Sequence, residues 1–305
     1  MDLEINKHRI RPGWHRSSAP RSTHLLISKD LTKSLTSPIT QIYISALNPS
    51  NNLSARRART AIRQLAAGFQ ALGLQRGECV CIHSFNDIWY PIFFLGVIAA
   101  GGVYAGTNPA YTAHELAHAL QTSKARFVLS QADLMGPVMK AAAGVGLERE
   151  RVVLFNPDGE GKGVFEGQLQ WRDLLGHGER EWERFDDLET SRNTTAALLF
   201  SSGTTGLPKA AMLSHYNFTA QHTLLYEAPK RPYKAVRLVA LPMFHAASAP
   251  VAHTTPLKSG EKSYVLPRFD LEKWFWAHEK YGVTDVAMVP PVSNSFCDLP
   301  RYDVG

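Results

Sequence analysis

From Cys79 onward, short apolar runs alternate with helical patterns, and this alternation restricts the chain to βαβ units around a largely parallel sheet. Ser54–Leu72 places Ala58, Ile62, Leu65, Phe69 and Leu72 on one stripe, which predicts an amphipathic helix. Strands are expected at Cys79–His83, Val103–Ala105, Arg126–Ser130 and Val152–Phe155, with helices at Trp89–Ala100, Thr112–Thr122 and Ala132–Ala143 between them. After a polar, Gly- and Asp-rich stretch over 156–195, the pattern resumes. Strands are expected at Ala196–Phe200, Val236–Leu241, Tyr264–Leu266 and Val283–Val289, and helices at Tyr216–Tyr226 and Leu271–Tyr281. The expected organisation is an N-terminal extension over 1–40, a first α/β subdomain over 41–195, and an incomplete second α/β subdomain over 196–305.

Charge and cysteine content narrow the function classes. The net charge of +6 is concentrated in residues 1–40, where seven Lys/Arg face three acids, so it reads as a solvated basic leader. Nucleic acid is not the expected partner. Cys79 and Cys81 share one face of a strand, and three cysteines make neither a zinc site nor a disulfide framework. A reducing, cytoplasmic setting is expected. The uncharged stretch Ile88–His114 is broken by Pro91, Gly101, Gly102 and Pro109, which suits a buried helix, a turn and a strand better than a membrane span.

The chemistry is concentrated where Ala196–Phe200 runs into SSGTTGLPK, Ser201–Lys209. Gly203 and Gly206 let backbone N–H groups approach an anion, and Ser201, Ser202, Thr204 and Thr205 offer hydroxyl donors. Lys209 adds a point charge suited to phosphate. A flexible surface loop is the plainer reading of Gly, Ser and Thr alone, but the whole string after a buried-type strand favours phosphate binding. It is not a Walker-A loop, because no GK[ST] opens a helix directly. Ser214 is the expected N-cap of the next helix. Two further strand ends, Pro242–His245 and Pro290–Ser293, carry unusual residues. One shared sheet would bring all three to a common edge, where α/β sheets bind ligands.

SSGTTGLPKAAMLSH resembles the signature loop of the adenylate-forming superfamily, which includes acyl-CoA synthetases, 4-coumarate–CoA ligases, luciferases and peptide-synthetase adenylation domains. The resemblance runs from about residue 41 onward. It includes HSFNDIWYPIFFLGVIAAGGVYAGTNPAYTAHEL, LPMFHAA and FDLEKW…YGVTDVAMVPPV, and is nearest to fungal 4-coumarate–CoA ligase-like and aryl or fatty acyl-CoA ligases. It implies the N-terminal part of such an enzyme's large domain, with parallel-rich sheets flanked by helices. It also implies a two-step reaction: a small-molecule carboxylic acid attacks the α-phosphorus of Mg-ATP, giving acyl-AMP, and coenzyme A then forms a thioester. By this resemblance Ser201, Ser202, Gly203, Thr204, Thr205, Gly206 and Lys209 contact ATP phosphates, His245 lines the acyl pocket, and Arg268 lies near coenzyme A.

Ala210 departs from the glycine usual after the lysine. The sequence ends at Gly305, before the aromatic-G-x-T-E motif, the ribose-binding Asp and the mobile C-terminal domain with its catalytic Lys. The alternative reading is therefore a catalytically inactive pseudoenzyme or a fragment of a longer ligase. A remote alternative is zinc metallopeptidase chemistry from His114-Glu115-Leu116-Ala117-His118, an H-E-x-x-H match. Peroxisomal relatives end in a targeting tripeptide, whereas this sequence ends Asp303-Val304-Gly305.

Overall fold

The computed structural model describes residues 41–156, 167–201, 208–224 and 232–290. In chain order these form β1 (Gln41–Ser45), β2 (Asn52–Ser54), α1 (Ala55–Ala71), β3 (Cys79–His83), α2 (Tyr90–Ala99), β4 (Val103–Thr107), α3 (Ala113–Ser123), β5 (Ala125–Gln131), α4 (Met135–Gly144) and β6 (Val152–Phe155). There follow α5 (Leu188–Asn193), β7 (Thr195–Ser201), β8 (Lys209–Ser214), α6 (His215–His222), β9 (Val236–Val239), α7 (Ala249–His253), α8 (Thr255–Ser259), β10 (Lys262–Val265), α9 (Leu271–Tyr281) and β11 (Asp285–Val286). The expected parallel-rich α/β architecture is present.

The strands make two sheets. A six-stranded sheet has the order β6-β5-β3-β4-β7-β8 and is parallel except for the β7–β8 pair. β3 and β4 are buried at every position, as expected for strands covered on both faces. Val80 and Ile82 enter the cluster with α1 and α2, while Cys79 and Cys81 face Leu116, Leu120 and Val138 of α3 and α4. α2, with Pro91 in its first turn, is apolar on all sides because α1, the sheet and α7 surround it. Its approach to α1 needs Gly96, where a Cβ would lie 2.7 Å from Leu65 Cβ.

The five-stranded sheet has the order β11-β9-β10-β1-β2. β1 runs parallel to β10, pairing Tyr43 with Ser263 and Ser45 with Val265. The Tyr43 hydroxyl lies 3.1 Å from each of the carbonyls of Ala252 and His253, fixing the end of α7 to β1. Arg237 on β9, almost fully buried, pairs with Glu261 at 2.7 Å and Asp285 at 3.7 Å, linking β9 to β11 and to the residue that precedes β10.

Two expectations about organisation change. The strand ends at Ser201, Val239 and Val286 do not share a sheet: β7 belongs to the six-stranded sheet, and β9 and β11 are neighbours in the five-stranded one. Sheet membership also does not follow the division at 195/196, since β7 and β8 complete the earlier sheet and β1 and β2 belong to the later one. Helical and strand periodicity reports which segments alternate, not which sheet each strand joins.

Candidate functional site

The phosphate-binding string begins and ends on an antiparallel strand pair. β7 and β8 are paired from Thr195–Ser214 to Ser201–Lys209, in one register from Ala197–Leu213 onward, so Ser201 and Lys209 face each other across the pair, both exposed. Ser202, Gly203, Thr204, Thr205 and Gly206 lie outside the described residues. β8 itself was not expected. KAAMLS lacks an apolar alternation, because it is an edge strand with Met212 70% exposed. Ser214 caps α6 as expected: its Oγ accepts from Asn217 N–H at 3.3 Å, and Asn217 Oδ1 accepts from Ser214 N–H at 2.9 Å.

His245 lies in an exposed turn after β9. Its carbonyl accepts from Ser248 and Ala249 N–H at 3.0 and 2.9 Å, so it opens the turn leading to α7. Its Nδ1 accepts from Ala247 N–H at 3.2 Å. A backbone N–H can only donate, so Nδ1 carries the lone pair and the neutral ring keeps its hydrogen on Nε2. His245 is therefore set to donate from an exposed face. Arg268 is also exposed, one residue beyond Pro267 at the end of β10.

The residue that holds these two strand ends together is Asn86, 5% exposed and three residues past β3. Its Nδ2 donates to Leu241 O at 3.0 Å and Leu266 O at 3.1 Å, and its Oδ1 accepts from Met243 N–H at 2.8 Å. Its own N–H donates to Pro267 O at 3.0 Å. One side chain from the six-stranded sheet thus clasps the carboxyl ends of β9 and β10, two residues before His245 on one side and two before Arg268 on the other. Met243 is held again through its carbonyl, which accepts from His253 Nε2 at 3.0 Å. His253 is fully buried and stacked on Phe94 and Tyr90, and burial pushes its pKa down to about 3, so it is neutral. The sequence signal for Asn86 was weak, because SFND reads as a turn.

Gly106 on β4 connects the two regions. It pairs with Leu199 on β7, two residues before Ser201. A Cβ there would lie 2.9 Å from Phe244 Cβ and 2.0 Å from the Tyr104 hydroxyl oxygen. Only glycine lets the segment Pro242–His245 settle against the strand beside β7. A small cleft lies nearby, lined by Val239, Leu241, Ser248 and Val251 and by the Arg237–Asp285 ion pair.

The H-E-x-x-H segment lies on α3. Glu115 is engaged in a capping box: its carboxylate accepts from Thr112 N–H at 2.8 Å, and Thr112 Oγ1 accepts from Glu115 N–H at 3.3 Å. His118 Nε2 contacts Pro208 O at 3.1 Å. Among the described residues no three His, Cys, Asp or Glu side chains are grouped to hold a metal ion. Nor is any helix there long and apolar enough to cross a membrane.

The sequence matches the family described as AMP-binding enzyme over residues 37–303. The chain belongs to that family. It is 46% identical over 264 residues to phenylacetyl-CoA ligase epaB of Aspergillus niger, covering 86% of this chain and 49% of that protein. Acyl-CoA ligase azaF, also of Aspergillus niger, is 46% identical over 264 residues, with 86% and 50% covered. The chain thus spans about half the length of the curated relatives it matches. Among solved structures, ATP-bound MatB from Rhodopseudomonas palustris superposes with a TM-score of 0.73 at 26% identity, covering 88% of this chain and 50% of that one. A long-chain-fatty-acid-CoA ligase, FadD1 from Archaeoglobus fulgidus, shares the fold with a TM-score of 0.76 at 22% identity, covering 90% of this chain and 54% of that one.

Proposed function

We propose that this AMP-binding family member carries the phosphate-binding and acyl-side parts of an acid–CoA ligase, in which a carboxylic acid reacts with Mg-ATP to give acyl-AMP and coenzyme A then forms the thioester. The observation that carries the reading is the pairing of Ser201 with Lys209 at the end of β7, with Gly106 on the next strand receiving Phe244. A free carboxylate is a poor electrophile, so the chemistry needs the polyphosphate held in line and its charge stabilised as pyrophosphate departs. Ser201 and Lys209, with the hydroxyls and glycines between them in sequence, supply that function. His245, exposed and with its Nε2–H set to donate, is the residue assigned to the acid, an aromatic or aliphatic one. Arg268 is the residue assigned to coenzyme A.

Lys209→Ala is expected to abolish or weaken ATP binding by at least tenfold, with the thermal midpoint unchanged, since Lys209 is an exposed charge at a strand end. Isothermal calorimetry on the chain measures this. Acid-dependent exchange of labelled pyrophosphate into ATP, run over aryl, alkyl and pyridine carboxylates, then names the acid. A folded chain that binds no ATP would sink the proposal; ATP binding without exchange for any acid would leave a nucleotide-binding pseudoenzyme in its place.

A further inference from the structure

The structure assigns His118 as a positioning residue for the phosphate-binding segment, acting through the carbonyl of Pro208. This rests on the reading of Ser201–Lys209 as that segment. The β7–β8 register has its last pair at Ser201 and Lys209, one residue short of Pro208. Proline has no backbone N–H, so its carbonyl is the one backbone group that can fasten it. His118 Nε2 lies 3.1 Å from that oxygen. A carbonyl oxygen only accepts, so Nε2 must carry the ring hydrogen and donate. Thr122 Oγ1, one turn further along α3, lies 3.4 Å from the same nitrogen and flanks it.

α3 is a firm mounting. Leu116 and Leu120 pack its inner face against the six-stranded sheet, and the Thr112–Glu115 capping box fixes its first turn. Lys209 is covalently next to the fastened carbonyl. The hydrogen bond therefore fixes where the backbone enters β8, and so where the Lys209 charge is presented. The second histidine of the H-E-x-x-H string has its use here, in a bond to backbone rather than to a metal ion.

The test uses three substitutions on the 305-residue chain, with Lys209→Ala as control. Gln places an amide N–H near the position of Nε2, whereas the shorter Asn ends near Nδ1. His118→Ala and His118→Asn are expected to weaken ATP binding by about fivefold, the worth of one hydrogen bond. Both should also speed hydrogen exchange of the Lys209–Ala211 amides, while His118→Gln keeps both near the unsubstituted chain. Equal losses in Gln and Asn, or unchanged exchange in Ala, would overturn the assignment. Should Ala fail to fold, the Gln–Asn contrast decides. Should the unsubstituted chain bind no ATP, the proposed function fails by itself. The exchange comparison, which needs no ligand, still tests the anchor.

Discussion

Asn86 shows how one amide can order a site from a distance. It satisfies two carbonyls and one N–H at the ends of strands in the other sheet. Asn86→Ala is expected to cost about 2–4 kcal/mol, because these buried groups lose partners at once. Asn86→Asp should be at least as damaging, since a carboxylate cannot donate to Leu241 O and Leu266 O. Urea titration followed by fluorescence measures both. His245→Ala, in contrast, removes an exposed side chain. It should leave stability within about 0.5 kcal/mol and ATP affinity unchanged, while lowering apparent affinity for the acid. His245 is singled out in the sequence by the family resemblance of LPMFHAA, and its acyl role is part of the proposal. Asn86 is not legible there: the partners that define it are 155 and 180 residues away in sequence.

At the scale of elements, apolar segments bounded by glycine or proline were read closely. Cys79–His83, Val152–Phe155 and Leu271–Tyr281 are found with the expected bounds, and Ser54 and Thr112 cap the helices after them. β1 and β8 were missed for different reasons. QIYIS is five residues following a basic stretch; it pairs with the three-residue β2 nearby and joins its sheet through β10, more than 200 positions later. KAAMLS is a half-solvated edge whose pairing, not its composition, makes it a strand. Helix contacts depend on small residues that pattern reading treats as neutral. At Gly68 on α1 a Cβ would lie 2.3 Å from the Leu174 carbonyl oxygen, a backbone atom that cannot swing aside. Gly68→Ala should therefore destabilise by about 1–3 kcal/mol despite alanine's better helix propensity, a reversal of sign that thermal denaturation would show.

For the whole molecule, the buried histidines His83, His215 and His253 set an acid limit. Burial lowers His83 and His215 to a pKa of about 4 and His253 to about 3. The unfolded value is about 6.5, so between there and pH 4 the unfolded chain binds protons that the folded chain refuses. Their contribution to stability is complete above pH 6.5 and falls as the pH drops, by up to about 1.4 kcal/mol per histidine per pH unit. Denaturation midpoints measured from pH 7.5 to 4.5 should decline steeply below 6.5, and His83→Gln should shallow the slope. The interleaving of the two sheets has a consequence for synthesis. The six-stranded sheet is complete once Ser214 has been made, but β1, made far earlier, must wait for Lys262–Val265. Until then the nascent chain carries the β1–β2 pair with the other edge of Gln41–Ser45 unpaired beside a finished neighbour, a long-range closure of the kind that slows folding and invites pairing with the wrong chain. A ribosome pausing between codons 215 and 262 would lengthen that interval, so the tempo of translation over this stretch bears directly on the yield of folded protein.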